Sequence, residues 1–348
     1  MKNKISIIGN LGDISKVASD GQTVKTRIVT EELIKHFGEK EVIVFNTNGG
    51  IKNLFISPFV CLKACLNSRN MIIFPAQRGI RVFVPLLYLF SALFKKIKLH
   101  YCVIGGWLPN FIKNKPFIAH ALKRFYAIYV ETNTMKIDME KLGYKNIVLM
   151  PNFKRLDVIT DENIQTTFSK PYKLCTFSRV NKMKGIPDAV KAVKEINEEA
   201  GETVYTLDIY GNITHDDFDW FCNQENEFPS YISYKGVVAF DKSVEVLKDY
   251  YALLFPTHYY TEGIPGTIID AYAAGLPVIS AKWQSFFDII DDNITGLGYE
   301  FDNYNEFKQV LENISKNPQT ILKLKYQCIK KAQGYLPQNV LSALINNI

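Results

Sequence analysis

Several signatures are missing from this 348-residue sequence, and each absence closes off a class of function. The longest nearly apolar run, Val82–Phe94, has 13 residues, short of the roughly 20 that a membrane-spanning helix takes. No G-x-G-x-x-G follows a strand-like run, which argues against a nicotinamide-dependent oxidoreductase. Cys61, Cys65, Cys102, Cys175, Cys222 and Cys328 are scattered; Cys61 and Cys65 do not form C-x-x-C, so no zinc or redox signature is present. The five histidines make no triad or metal pattern, and no D-x-D pair ends a strand to hold a divalent ion. The opening residues Met1–Gly9 run straight into a strand with too few apolar residues for a signal peptide. Free cysteines in apolar strand-like runs fit a reducing compartment. A cytoplasmic location is expected.

What is present is ordinary globular composition, 47% hydrophobic and 22% charged, in a length that fits two α/β domains. The net charge of +6 is unevenly spread. Residues 1–152 carry 22 Lys and Arg against 9 Asp and Glu, and the remainder carries 19 against 26. A basic half joined to an acidic half points the first toward an anionic partner, with a generally lysine-rich surface as the plainer account. Val82–Phe94 is flanked by Arg78, Arg81, Lys95, Lys96 and Lys98. It reads as a core helix, or as a helix lying in a membrane interface.

Short apolar runs alternate with helix-like segments throughout, the pattern of parallel βαβ units. Strands are expected at 5–9, 42–46, 71–74, 99–104, 127–130 and 147–150, then at 174–178, 206–210, 232–235, 252–255 and 277–280. The polar stretch Pro151–Pro171 separates the two series. The expected domains are residues 1–152 and 153–330, with a C-terminal helix over 331–348 able to pack back on the first. Ligands of such sheets bind beyond the carboxyl ends of the strands, so the loops there carry the chemistry.

Two of these loops stand out. Phe177-Ser-Arg179-Val-Asn-Lys182-Met-Lys184-Gly185 sets three cations between a strand and a helix start, where helix N-termini favour anions. An anion between them resolves the conflict: Arg179 offers a planar fork to phosphate oxygens and Lys184 a mobile point charge. Farther on, a strand ends in a polar loop containing His258 and Glu262, and Gly263-Ile264-Pro265-Gly266-Thr267 leads into a helix carrying Asp270 and ending near Gly275. Free N–H groups at that helix start, framed by two carboxylates, suit a sugar diphosphate.

At these residues the sequence resembles a known family. Ser178-Arg-Val-Asn-Lys-Met-Lys184-Gly185 is similar to its G-R-L-x-x-x-K-G, and Glu262-Gly-Ile-Pro-Gly-Thr-Ile-Ile-Asp270-Ala-Tyr-Ala-Ala-Gly-Leu-Pro-Val-Ile to its E-G-x-P-x-x-x-x-E-A-x-A-x-G-x-P-V-I. Together they look like the retaining glycosyltransferases of family 4, also called group 1, with the GT-B architecture of two Rossmann-like, doubly wound domains facing a cleft. The resemblance implies that Arg179 and Lys184 neutralise a leaving diphosphate, that Glu262 holds hydroxyls of the transferred sugar, and that Asp270 binds the nucleotide ribose. Gly263, Ile264, Pro265, Gly266 and Thr267 would contact donor sugar and phosphate. Ser178 replaces the usual glycine and Asp270 the usual second glutamate, a side chain one methylene shorter. The expected partners are a UDP- or GDP-sugar and a saccharide or lipid-linked acceptor in bacterial surface polysaccharide synthesis. Peripheral contact with an anionic inner membrane face is expected and nucleic acid is not. No metal or other cofactor is expected, since Arg179 and Lys184 can do a metal's work on the leaving group. Retention would follow a same-face displacement in which the leaving phosphate helps remove the acceptor proton.

In the first half, Gly12, Gly21 and Gln22 border glycine-containing turns after the first strand, and Gly106 and Trp107 follow the fourth. With His258 they are candidates for donor or acceptor contact, against ordinary turns and packing as the plainer readings. Glu131–Thr134 reads first as a helix cap. Two other functions remain open: a nucleotide-sugar epimerase of the same architecture, and a non-catalytic subunit that binds sugar nucleotides.

Overall fold

The computed structural model describes residues 4–13, 21–48, 51–94 and 96–348, with only the backbone described for 51–54. The chain divides into two units, residues 1–154 with 337–348, and residues 155–336. In the first unit the order is β1 (Ile5–Gly9), α1 (Gly21–Phe37), β2 (Val42–Asn46), α2 (Ile51–Asn67), β3 (Asn70–Ile73), α3 (Ile80–Leu93), β4 (Lys98–Cys102), α4 (Leu108–Lys113), α5 (Pro116–Leu122), β5 (Ala127–Val130), α6 (Asn133–Lys141) and β6 (Ile147–Leu149). The second unit runs β7 (Tyr172–Phe177), α7 (Ile186–Ala200), β8 (Tyr205–Tyr210), α8 (Phe218–Glu225), β9 (Ile232–Gly236), α9 (Ser243–Leu247), β10 (Ala252–Phe255), α10 (Gly266–Ala273), β11 (Val278–Ala281), β12 (Gly296–Tyr299), α11 (Tyr304–Lys316) and α12 (Gln319–Ala332). The chain then returns to the first unit with α13 (Pro337–Val340) and α14 (Ser342–Ile345).

Both sheets have six strands, in the orders β2-β1-β3-β4-β5-β6 and β12-β11-β10-β7-β8-β9, and every named pairing is parallel. Alternation along the strands sorts the first unit's core into two layers. Ile5, Ile7, Ile72 and Cys102 pack with Ile28, Val29 and Leu33 of α1 and with Val340, Leu341 and Leu344. Ile8, Met71, Ile73 and Tyr101 face α2 to α6. In the second unit α7 shows how sequence sets an element: Gly185 at φ 73° opens it, Pro187 sits in its first turn and Gly201 at φ 65° ends it. Its Ala189, Val190, Ala192, Val193 and Ile196 form the buried face.

One expectation is corrected at the C-terminus. No single helix covers 331–348: α12 ends at Ala332, and a 3-10 turn over Gln333–Tyr335 and two single-turn α-helices follow. Pro337 is the cause, since a residue before proline is pushed out of the helical region, and Leu336 is extended at φ −78°, ψ 146°. The second unit also continues to Leu336 rather than stopping at 330, because Cys328, Ala332 and Tyr335 belong to the core around α10. Lys325 on α12 is buried, donates to the carbonyls of Tyr250 and Gly275, and is pushed down to about 8 by burial.

Val82–Phe94 forms most of α3. Ile80, Val84 and Leu87 are buried, while Leu89 and Leu93 are exposed, so the helix is in part a core helix. Among the described residues no helix is long and apolar enough to cross a membrane.

His100 on β4 is buried between Asn70 and Tyr129. Asn70 Nδ2 donates to the carbonyl of Ile348, which leaves Asn70 Oδ1 to accept from His100 Nε2 at 3.1 Å. Burial, helped by the Lys98 charge, lowers the imidazole from 6.5 to about 3. Between those values the unfolded chain binds one more proton than the folded one, so stability must fall as pH drops from 6.5 toward 3. His100→Gln should flatten this slope by about 1.4 kcal/mol per pH unit, read from urea unfolding across that range.

Candidate active site

Strand order places the site. In the second sheet the chain leaves β7 toward β8 and β9, then crosses back to β10 on the other side. This reversal makes β7 and β10 neighbours, paired through Leu174 with Ala252, at a topological switch point where ligands of parallel sheets bind. The loops after these two strands are the two singled out in the sequence.

Close approach locks them together. A Cβ on Gly185 would lie 1.8 Å from the carbonyl oxygen of Pro256, and the His258 amide donates to Met183 O at 2.9 Å. On the other side, a Cβ on Gly211 would come 1.7 Å from Ser178 O. Asn181 caps the short turn that carries Lys184, its Oδ1 accepting from the Lys184 amide at 2.8 Å.

The Lys184 side chain is only 9% exposed, and its ammonium bonds Oε1 of Glu262, itself 17% exposed. The ammonium also lies over the rings of Phe255 and Tyr259, at 5.0 and 5.3 Å from their centroids. Burial holds its pKa below the usual lysine value; Glu262 opposes that shift and Arg179 adds to it. Arg179 is exposed and close enough for its charge to be felt at Lys184. Residues 78 positions apart are thus joined, with a second cation beside them.

The start of α10 is the third element. Pro265 stands at its N-cap in extended conformation, without a side-chain cap, so the first-turn N–H groups receive no oxygen from that residue. Gly263 and Ile264 are buried, and Pro265, Gly266 and Thr267 half-buried. Thr267 Oγ1 is buried without a hydrogen-bond partner, as are Thr176 Oγ1 on β7 and Trp283 Nε1 beyond β11. Such atoms call for an account, because a buried polar group without a partner is costly.

Two other candidates are engaged by the protein itself. Asp270 is 2% exposed, and its Oδ1 accepts from Ser243 Oγ at 2.9 Å. His258 Nε2 lies 3.1 Å from Asp188 Oδ2 and Nδ1 lies 2.6 Å from Asp302 Oδ1, so both ring nitrogens face carboxylates. Among the described residues, no three His, Cys, Asp or Glu side chains group as a metal site.

Gly12, Gly21 and Gln22 follow β1, at the first unit's switch point between β1 and β3, whereas Gly106 and Trp107 follow β4. Gly12 has φ 64°, and its loop is closed by Asn46, whose Nδ2 donates to Gly12 O, and by Arg27, which donates to Leu11 O and Asp13 O. Gly21 opens α1, and Gln22 Nε2 donates to Phe74 O at 2.8 Å; Ser19 and Asp20 of that expected turn lie outside the described residues. Gly106 and Trp107 are half-buried; the indole donates to Ile104 O and meets the edge of Phe111. Thr132 does cap α6, accepting from the Met135 amide.

Sequence reading missed several participants. Asn181 was detectable, being three residues before the amide it caps. Phe255 and Tyr259 under the ammonium carried no signal beyond strand and loop. Nor did the buried pair of Lys25 on α1 with Glu131 after β5, at 2.7 Å, whose second carboxylate oxygen accepts from the Gly105 amide.

Comparison with known proteins bears on these geometries. The family model described as glycosyl transferases group 1 matches residues 157–334, just over half of the chain. An uncharacterized 41.2 kDa protein from the cps region of Klebsiella pneumoniae is 22% identical over 168 residues, 48% of this chain and 44% of that protein. An uncharacterized glycosyltransferase of Methanocaldococcus jannaschii is 21% identical over 161 residues, 45% of this chain and 39% of the relative. The chain therefore matches less than half the length of either curated relative. The crystal structure of Anabaena Alr3699/HepE in complex with UDP superposes with a TM-score of 0.75 at 12% identity, covering 99% of this chain and 98% of that one. The fold is accordingly GT-B, with two Rossmann-like parallel sheets. With the matched span covering nearly all of the second unit and both motif loops, this chain belongs to the glycosyl transferases group 1 family.

Proposed function

We propose that the protein is a retaining, metal-independent glycosyltransferase. It would move a sugar from a nucleoside-diphosphate donor to a glycan or lipid-linked saccharide, in surface polysaccharide synthesis at an anionic membrane face. The observation that carries the reading is the convergence of buried Lys184, exposed Arg179 and Glu262 beside the uncapped start of α10. The UDP bound to Anabaena Alr3699/HepE and the cps-region setting of the Klebsiella relative support the donor class and the pathway.

The chemistry follows from charge. Breaking the bond between the anomeric carbon and the diphosphate oxygen leaves negative charge on the phosphate, and preorganised cations stabilise charge where it develops. Lys184 and Arg179 supply them, and the α10 N–H groups with Thr267 Oγ1 receive the remaining oxygens. Glu262, already bonded to Lys184, accepts hydrogen bonds from hydroxyls of the sugar and fixes its ring relative to the leaving group. The acceptor hydroxyl attacks from the face the diphosphate leaves, and its proton passes to a phosphate oxygen. Asp270 is assigned to the nucleotide ribose by its place in the motif alone, since its carboxylate already holds Ser243. Gly12, Gly21, Gln22, Gly106 and Trp107 in the first unit and His258 in the second are the candidates for further donor or acceptor contact.

Release of nucleoside diphosphate from UDP- and GDP-sugars, with and without saccharide acceptors, tests the reading. Glu262→Ala and Lys184→Ala should each lower kcat/KM by about 10²-fold or more, with circular dichroism establishing that each variant folds, since each leaves the other partner of a buried pair unpaired. Anomeric signals of the product should match those of the donor sugar. Acceptor-independent conversion of the donor would replace transfer with epimerisation, and unchanged turnover in both variants would remove the assignment. Gly185→Ala should act through the backbone. With φ at 73° and Pro256 O in the way, the loops must part, lowering both activity and the thermal midpoint. A loss of about 2 kcal/mol would appear as a fall of roughly 4–8 °C. Lys184 titrates below the usual 10.5, and a bound diphosphate favours its charged form. Donor affinity should therefore fall as pH rises through that lowered value, measured by titration calorimetry at a series of rising pH values.

A further inference from the structure

We propose that the outer faces of α2, α3 and α5 form a surface that inserts shallowly into an anionic lipid bilayer. The inference rests on the membrane setting proposed above and names the surface of the first unit that makes the contact, without depending on the transferase chemistry of the second.

The first observation is misplaced apolar surface. On α2, Phe55, Phe59, Leu62 and Leu66 follow one another at helical spacing and are all exposed, the two phenylalanines at 74% and 73%. This stripe is distinct from the face that carries buried Ser57, Cys61, Ala64 and Cys65. Leu89 and Leu93 form a second exposed pair one helical turn apart on α3, and Phe117 on α5 is exposed beside Tyr88 of α3. Helix α2 packs on α3 and α3 on α5, all on one side of the sheet. Aromatic and aliphatic side chains grouped in this way mark an interaction surface rather than scattered apolar exposure.

The second observation is charge. Residues 42–130 contain 12 Lys and Arg and not one Asp or Glu over 89 residues. Of these cations Lys63, Arg78, Arg81, Lys96, Lys113, Lys123 and Arg124 are exposed. Arg81 and Arg124 lie over the rings of Phe111 and Tyr88, so basic and apolar groups are interleaved.

These features select the occupant. A second copy would have to bring the same positive surface against itself, because a two-fold interface is self-complementary. A nucleic acid would use the cations and leave Phe55 and Phe59 in water. An anionic bilayer uses both, with apolar side chains entering the boundary between headgroups and acyl chains and cations meeting lipid phosphates. Helix α2, at 17 residues, would lie along the membrane plane.

The test is sedimentation of the full chain with vesicles of phosphatidylcholine containing phosphatidylglycerol, and of phosphatidylcholine alone. Wild-type protein should pellet with the anionic vesicles and partition about tenfold less onto neutral ones. Phe55→Ser/Phe59→Ser should lower binding to anionic vesicles by about tenfold or more, and Leu89→Ser/Leu93→Ser should do the same from the neighbouring helix. All four side chains are exposed, so circular dichroism and turnover on a water-soluble acceptor should remain at wild-type levels. The proposal is overturned if wild-type protein stays in solution with anionic vesicles, if both variants pellet like wild type, or if wild type is a dimer that the serine variants dissolve without any change in vesicle binding.

Discussion

The second unit is organised around a lysine ammonium taken out of water. Removing an ion from solvent costs several kcal/mol even after relaxation, and burial lowers the Lys184 pKa as that cost requires. The charge is retained through Glu262, two aromatic faces and a loop that cannot shift freely. Asn181 fixes the turn carrying Lys184, and Gly185 lets it sit directly on Pro256. The Lys-Gly pair of the motif is thus one device: the glycine permits the approach that brings the lysine to Glu262. A diphosphate arriving there offers more negative charge than one carboxylate, so it can share the ammonium with Glu262 without leaving it unpaired.

The two units use the same sheet logic to different ends. Each has a switch point next to its first strand, but among the described residues of the first unit's loops after β1 and β4 the backbone groups are taken up by the unit's own side chains. Asn46 and Arg27 occupy the carbonyls around Gly12, and Glu131, neutralised by Lys25, occupies the Gly105 amide. Around the corresponding point of the second unit stand an uncapped helix start and the unpartnered hydroxyl of Thr267. That difference in hydrogen-bond accounting favours the second unit as the holder of a phosphate-rich ligand.

Much of this was legible in the sequence, for reasons that also mark where legibility ended. Buried parallel strands are nearly continuous apolar runs, and β1, β2, β5 and β10 have the expected limits. Lys184 stood out because cations before a helix start are locally unfavourable and need an explanation, and Glu262 because it stands in a polar loop just before a Gly-Ile-Pro-Gly helix start. By contrast β12, Gly-Leu-Gly-Tyr, is short and half glycine, so it lacks a strand pattern. The first half of α2 was hidden because Pro58 sits inside the helix and because Phe55 and Ile56 are exposed rather than part of a buried stripe. Helices α4 and α5 are 6 and 7 residues long, too short for periodicity to register. The Lys25–Glu131 pair joins positions 106 apart, and only the sheet brings them together.

The central claim is that Lys184 is held for a pyrophosphate, and calorimetric titration with a nucleoside diphosphate and the matching monophosphate tests it most directly. The wild-type chain should bind the diphosphate at least about tenfold more tightly, and Lys184→Met should erase most of that preference. If the variant keeps the full preference, the ammonium is a structural ion and the second phosphate is recognised elsewhere.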